Sequence, residues 1–165
     1  MICARKLRFY ASLLIAGLIF PLGLAPFNLW PCVIFSLSFL CLKIADEPAP
    51  KVILSVFLFN AGMFLFGVSW LFISIHYHGY VPVPFAILAT VAFCLFLAAL
   101  SSAPFMLWHA IQGKLLASLL GFPSIWVLGE WFRSWFATGF PWLFAGYSHQ
   151  STWLGGWAPL GGVFW

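Results

Sequence analysis

The sequence has 165 residues, of which 64% are hydrophobic, 21% aromatic and only 6% charged. A water-soluble domain carries about 25% charged residues, so a soluble globule is excluded, and a mean hydropathy of +1.08 points to a chain that crosses a bilayer several times. The formal charge of +4 would favour nucleic acid if the basic residues formed one patch, but they stand apart at the ends of apolar runs, where they act as topology signals.

The first run, Leu7 to Leu24, follows Arg5-Lys6-Leu7-Arg8. It resembles a signal peptide, but Ala25-Pro26-Phe27 is not a small-x-small cleavage site, so an uncleaved helix that frays at Pro21 and Pro26 is predicted. The second run, Leu29 to Ala45, opens on Trp30-Pro31, an interfacial aromatic and a proline in a first turn. It closes at the acidic, proline-rich turn Asp46-Glu47-Pro48-Ala49-Pro50. The third, Val52 to Ile75, carries Asn60 and the small residues Ala61, Gly62, Gly67 and Ser69, which predict a face packed closely on other helices. The segment His76 to Pro84 breaks it. The fourth, Phe85 to Ile111, is long enough to tilt or to kink at Pro104 and ends at Gln112-Gly113-Lys114. The fifth, Leu115 to Phe136, is interrupted by Gly121 and Pro123 and bears Glu130 and Arg133 near its far end.

The fold class that follows is an all-α, polytopic membrane helix bundle of about five transmembrane helices in a single domain. An irregular aromatic and glycine-rich external segment, residues 137–162, ends it. Arg5, Lys6, Arg8, Lys43, Lys51 and Lys114 fall on one side of this layout and Arg133 on the other. Because cytoplasmic loops are enriched in Lys and Arg, the N-terminus is predicted inside and the C-terminal segment outside.

Ionisable residues in a membrane helix cost about 2.5 kcal/mol or more unless they are paired or interfacial, so each is a functional-site hypothesis. Glu130 and Arg133 are three residues apart and share a helix face. Three readings stay open for them: an ion pair that locks the outer end of the helix, a pair that positions a polar lipid or acceptor group, and acid/base catalysis. The segment Thr138 to Gln150 is dense in aromatics, glycine and hydroxyls. It either lies in the interface as an aromatic belt or shapes a lipid-chain groove, because irregular backbone at membrane depth needs protein or a water-filled cavity around it.

The sequence carries no metal or cofactor signature. Cys3, Cys32, Cys41 and Cys94 show no CxxC or Cys/His pairing and read as packing residues, and His76, His78 and His149 lack helical HxxxH spacing and supporting carboxylates. No phosphate-cradling glycine loop is present. A Cys nucleophile needs a base within hydrogen-bond reach. In this layout the lysines lie about 30 Å from Glu130, across the hydrocarbon core, so no catalytic set assembles from one copy.

Four stretches resemble the N-terminal membrane portion of the apolipoprotein N-acyltransferase family. They are Leu22-Gly23-Leu24-Ala25-Pro26-Phe27-Asn28-Leu29-Trp30-Pro31; Gly67-Val68-Ser69-Trp70 with Ser74-Ile75 and Gly79; Glu130-Trp131-Phe132-Arg133; and Thr138-Gly139-Phe140-Pro141-Trp142 with Gly146-Tyr147-Ser148. Ala158-Pro159-Leu160-Gly161-Gly162-Val163 resembles the entry to the family's next helix. The resemblance implies a bacterial inner-membrane enzyme of lipoprotein biosynthesis. Its partners are a membrane phospholipid, which donates an acyl chain, and the N-terminal diacylglyceryl-cysteine of an apolipoprotein, which accepts it. Transfer runs through a thioester on an enzyme cysteine, with Glu, Lys and Cys placed on a periplasmic domain similar to carbon–nitrogen hydrolases.

No position here matches those three catalytic residues, so no catalytic residue is assigned, and a truncated or disrupted chain, inactive alone and with a separately encoded remainder as a candidate partner, is the expectation. Trp70, Ser74, Glu130, Arg133, Thr138, Gly139, Phe140, Pro141, Trp142, Gly146 and Tyr147 are the candidates for lipid access or for bracing it. The alternative from another class is a non-enzymatic small membrane protein, such as a scaffold or transporter subunit.

Overall fold

The computed structural model describes residues 2–111 and 117–164. The turn at Lys114, the start of the fifth predicted run at Leu115 and Leu116, and the Cys3 side chain lie outside the described residues. Every regular element described is helical, so the chain is an all-α membrane helix bundle.

Proline marks where helices begin. Pro has no N–H to lose in a first turn and its φ is already helical. It occupies one of the first two positions of α2 (Pro31–Ile44), α3 (Ala49–Gly67), α5 (Val83–Ser102) and α7 (Phe122–Trp135). Inside the predicted runs proline loosens the helix instead. α1 (Ile2–Ile19) tightens into a 3-10 turn at Phe20–Gly23 around Pro21, and α5 does the same at Ala103–Leu107 around Pro104 before α6 (Trp108–Ile111). The predicted fray at Pro21 and kink at Pro104 take this form.

The third run is not continuous. α3 ends at Gly67, Val68 leaves helical geometry at φ −114° and ψ 9°, and Ser69 Oγ donates to the Phe66 carbonyl at 2.9 Å. Gly is a poor helix former, and a serine hydroxyl that bonds its own backbone competes with the helical ladder. The chain resumes as α4 (Trp70–Ile73), followed by a π turn at Ser74–His78. Among the described residues these breaks leave three helical stretches long and apolar enough to span a membrane: Ala4–Gly23, Ala49–Gly67 and Val83–Leu107. α2 and α7 have 14 residues each, about 21 Å at 1.5 Å per residue, shorter than a straight span of about 30 Å.

α3 is the central helix, packed on α1 along one face and on α5 along another. Phe59, Met63 and Phe64 of α3 are buried to 1% exposure or less. Phe20, Phe59, Phe105 and Phe122 gather around Trp126 with ring centroids 5.7–6.4 Å apart. By contrast, Phe85, Ile87, Leu88 and Phe96 of α5 are exposed. A contiguous apolar face of that kind is the lipid-facing side of a membrane helix.

Lipid offers apolar side chains as good a home as a helix neighbour does, so close backbone approach through small residues drives association. The α1–α3 contact is of this kind. A Cβ at Gly17 would lie 2.0 Å from the Phe59 carbonyl oxygen, and one at Gly62 would lie 2.4 Å from that of Leu14. The prediction of a closely packed face on the third run is met at Gly62. Gly17→Ala must push two backbones apart, and overpacking typically costs about 1–3 kcal/mol. The variant should therefore melt earlier in detergent than wild type; an unchanged melting temperature would show that α1 and α3 do not meet at Gly17.

Candidate functional site

The end of α7 is held by its two ionisable residues. After Trp135 the chain turns back on itself through a 3-10 turn at Phe136–Thr138, with Phe140 N–H donating to the Arg133 carbonyl at 2.9 Å. The backbone from 137 to 143 enters the left-handed region four times, at Ala137 (φ 50°), Thr138 (φ 78°), Gly139 (φ 82°) and Leu143 (φ 60°). Only glycine adopts that region without steric cost, and for β-branched threonine it is an outlier. Such a backbone persists where its surroundings over-determine it.

Arg133 and Glu130 supply those surroundings. Arg133 is 2% exposed and its Nη1 donates to the carbonyls of Phe140, at 3.2 Å, and Trp142. Its guanidinium lies 5.0 Å from the Phe64 ring centre and 4.8 Å from that of Phe144, within cation–π range. Glu130, 4% exposed, accepts at Oε1 from Trp126 Nε1 and from the Ala145 backbone N–H, both at 2.8 Å. The two side chains thus fasten residues 140–145 over the end of α7. The expected ion pair does not take the form of direct contact: among the described residues, the ion pair within 4.0 Å is Lys51–Glu47. Spacing of three residues puts Glu130 and Arg133 on one face, but their hydrogen bonds run instead to Trp126 and to backbone groups of the returning segment.

This fastened segment forms one wall of a groove of about 690 Å³. The opposite walls come from Leu24 to Phe27 after α1 and from Phe66 to Trp70 at the break after α3. Trp70 and Trp142 both line it and touch each other, with ring centres 5.8 Å apart, and Phe140 stacks on Trp142 at 5.5 Å. Leu143, in the same wall, fills the space beside Gly67, where a Cβ would lie 2.6 Å from its Cδ1. Tyr147 and Gln150 border this groove and also a second one of about 660 Å³, which reaches Trp157 and Val163. Both have the size and apolar lining of small-molecule or lipid-chain sites.

The three groove walls come from the stretches singled out in the sequence near residues 22–31, 67–70 and 138–148. The family model for the apolipoprotein N-acyltransferase N-terminal domain matches residues 16–165, nearly the whole chain. The chain belongs to this family. It is 42% identical to the apolipoprotein N-acyltransferase of Azotobacter vinelandii over 154 residues, 92% of this chain and 30% of that protein. It is likewise 42% identical to the enzyme of that name from Coxiella burnetii over 155 residues, 92% of this chain and 32% of that one. The Pseudomonas aeruginosa protein is 39% identical over 154 residues, with coverage of 92% and 30%. The chain therefore spans about a third of the length of the curated apolipoprotein N-acyltransferases it matches.

Within this N-acyltransferase membrane domain the predicted residues divide. Trp70, Pro141, Trp142 and Tyr147 line the larger groove, Gly146 and Tyr147 the second, and Glu130 and Arg133 anchor the wall between them. Thr138 and Gly139 form the reversal, and Phe140 bridges it to α5 through Phe93, 5.2 Å away. Ser74 stands apart: it is exposed in the π turn, where its carbonyl accepts the Gly79 N–H at 3.1 Å. Trp126, Phe64 and Phe144 were not singled out in the sequence. Trp126 lies four residues before Glu130, one helical turn away, and that spacing was the available signal.

His76 Nδ1 meets the Val81 carbonyl at 2.8 Å, and His149 pairs with Thr152 at 3.2 Å. Cys94 is buried with its thiol 3.5 Å from the Phe64 carbonyl. Among the described residues no three His, Cys, Asp or Glu side chains come together to hold a metal ion.

Proposed function

We propose that this chain is the lipid-access part of an apolipoprotein N-acyltransferase of the bacterial inner membrane, with the groove that Trp70 and Trp142 border as the path of the phospholipid acyl chain. The observation that carries the reading is the groove itself: about 690 Å³, apolar, and walled by a segment whose backbone is held by two buried ionisable residues. The acyl acceptor is the N-terminal diacylglyceryl-cysteine of an apolipoprotein. The Glu, Lys and Cys of the transfer reaction belong to a catalytic domain outside these 165 residues, supplied by the rest of the protein or by a separately encoded remainder.

Membrane orientation follows from charge. Arg5, Lys6 and Arg8 precede the apolar part of α1, and Lys43 lies over the Phe9 and Phe39 rings at 5.5 and 5.1 Å. These and Lys51 gather at the end of the bundle opposite the groove, which supports a cytoplasmic N-terminus and a periplasmic groove by the positive-inside rule. α2 and α7 complete a five-helix layout, α7 together with the π turn Ala117–Gly121 that precedes it.

A phospholipid with a photoactivatable diazirine in its acyl chain, incorporated with the protein into nanodiscs, tests the path. Crosslinks should concentrate on peptides containing Trp70 and Pro141 to Tyr147. Labelling spread evenly over the exposed face of α5 would overturn the proposal. The 165 residues alone should give no acyl transfer to a diacylglyceryl peptide, and a thioester on Cys3, Cys32, Cys41 or Cys94 would show that the catalytic groups have been misplaced.

A further inference from the structure

Five buried side-chain polar atoms have no hydrogen-bond partner among the described residues: Ser36 Oγ and Ser55 Oγ, and a group of three, Asn60 Oδ1, Ser101 Oγ and Arg133 Nε. The group of three comes from α3, α5 and α7, and its residues line one cavity of about 10 Å³, which Met63, Trp126, Gly129 and Glu130 also border. Native interiors leave few such atoms unpaired, so a cluster of three around one space calls for a ligand.

Other polar atoms of Asn60 and Arg133 are already committed. Asn60 Nδ2 donates to Ser102 Oγ at 3.1 Å, and that hydroxyl donates to the Ala98 carbonyl at 2.6 Å, so the Asn60 oxygen cannot turn to Ser102 for a proton. Arg133 Nη1 is taken up by the Phe140 and Trp142 carbonyls. The unpaired groups at the cavity are one acceptor, one obligate donor and one hydroxyl that serves as either, beside Glu130, whose Oε1 already accepts from Trp126 and Ala145. An anion would meet the Asn60 oxygen and a cation the Arg133 guanidinium, so a charged ligand finds a like-signed group on one side. A neutral molecule that both donates and accepts satisfies all three, and the space matches the roughly 10–15 Å³ that one water needs with two to four polar partners.

We propose that this cavity is a binding site for a single buried water molecule, which donates to Asn60 Oδ1, accepts from Arg133 Nε–H and bonds Ser101 Oγ. The water ties α3 and α5 to the side chain that holds the wall of the groove, and so makes Asn60 and Ser101 positioning residues for residues 140–142. It also explains an asparagine with no surface exposure in the centre of an otherwise apolar helix.

Hydroxyl-radical footprinting by X-ray radiolysis of the full chain in nanodiscs tests this. Radicals formed from a bound water oxidise the side chain beside it, and Met63, 1% exposed, is that side chain. Met63 should be oxidised along with Met106, which is 65% exposed; an unmodified Met63 beside an oxidised Met106 would overturn the proposal. Gly129→Ala keeps every polar group and adds a methyl whose nearest neighbours, Pro104 Cγ and the Ser101 carbonyl oxygen, are at an ordinary 3.5 Å. It should abolish Met63 oxidation and leave Met106 unchanged, whereas oxidation of Met63 retained in this variant would place the radical source elsewhere. The wild-type result decides the matter even if the variant fails to accumulate.

Discussion

Arg133→Leu should lower stability by about 2 to 4 kcal/mol, since hydrogen bonds to charged groups contribute about 1.5–3 kcal/mol each and two carbonyls, those of Phe140 and Trp142, lose their donor. Removing a buried charge relieves its desolvation, which offsets part of the loss. The more telling readout is local. Amide hydrogen exchange across residues 137–147 should speed up, because the left-handed residues Ala137, Thr138 and Leu143 are then free to relax. Exchange in α1 and α3 should change little. Arg133→Lys preserves the charge but not the planar fork that serves two carbonyls at once, so it should fall between wild type and Leu. Unchanged exchange over 137–147 in the Leu variant would mean that the segment holds its shape without Arg133.

Glu130 separates hydrogen bonding from charge. Glu130→Leu strands the Trp126 indole N–H and the Ala145 backbone N–H, each at a cost of about 1–3 kcal/mol, so a loss of several kcal/mol and a clearly lower melting temperature are expected. Glu130→Gln keeps an oxygen able to accept from both donors. Charge-assisted bonds are roughly twice as strong as neutral ones, so the Gln variant should keep part of the stability and rank between wild type and Leu in thermal unfolding. If Gln is as damaging as Leu, the negative charge is what matters and the two hydrogen bonds at Oε1 are not.

The helical class was legible because hydropathy and proline placement are local properties. Pro31, Pro50 and Pro84 stand at helix starts close to where the sequence alone begins its apolar runs, whereas Pro123, which reads as an interruption of the fifth run, opens α7, and Gly62 marks a close crossing. Glu130 and Arg133 also stood out, because charge in an apolar helix is conspicuous in any context. Their partners were not legible. Phe140, Trp142 and Ala145 bind through backbone atoms, which every residue possesses, and the conformation that aims those atoms uses positive φ at Ala137, Thr138 and Leu143, where only Gly139 advertises it. The break after Gly67 was hidden for a similar reason. Gly67 and Ser69 count as small packing residues in an apolar run, and hydropathy reads straight through them, whereas in the structure the Ser69 hydroxyl bonds the Phe66 carbonyl where the helix stops.

The Gly17–Gly62 crossing also bears on the order of assembly. Chains fold from the N-terminus as they are made, and both sides of that backbone contact lie within the first three helices. The turn after α1 and the break after α3, which form the floor of the groove, are thus in place before residues 136–149 leave the ribosome. The last wall closes over two that are already formed, so an acyl chain on the proposed path would be enclosed during synthesis rather than threaded in afterwards.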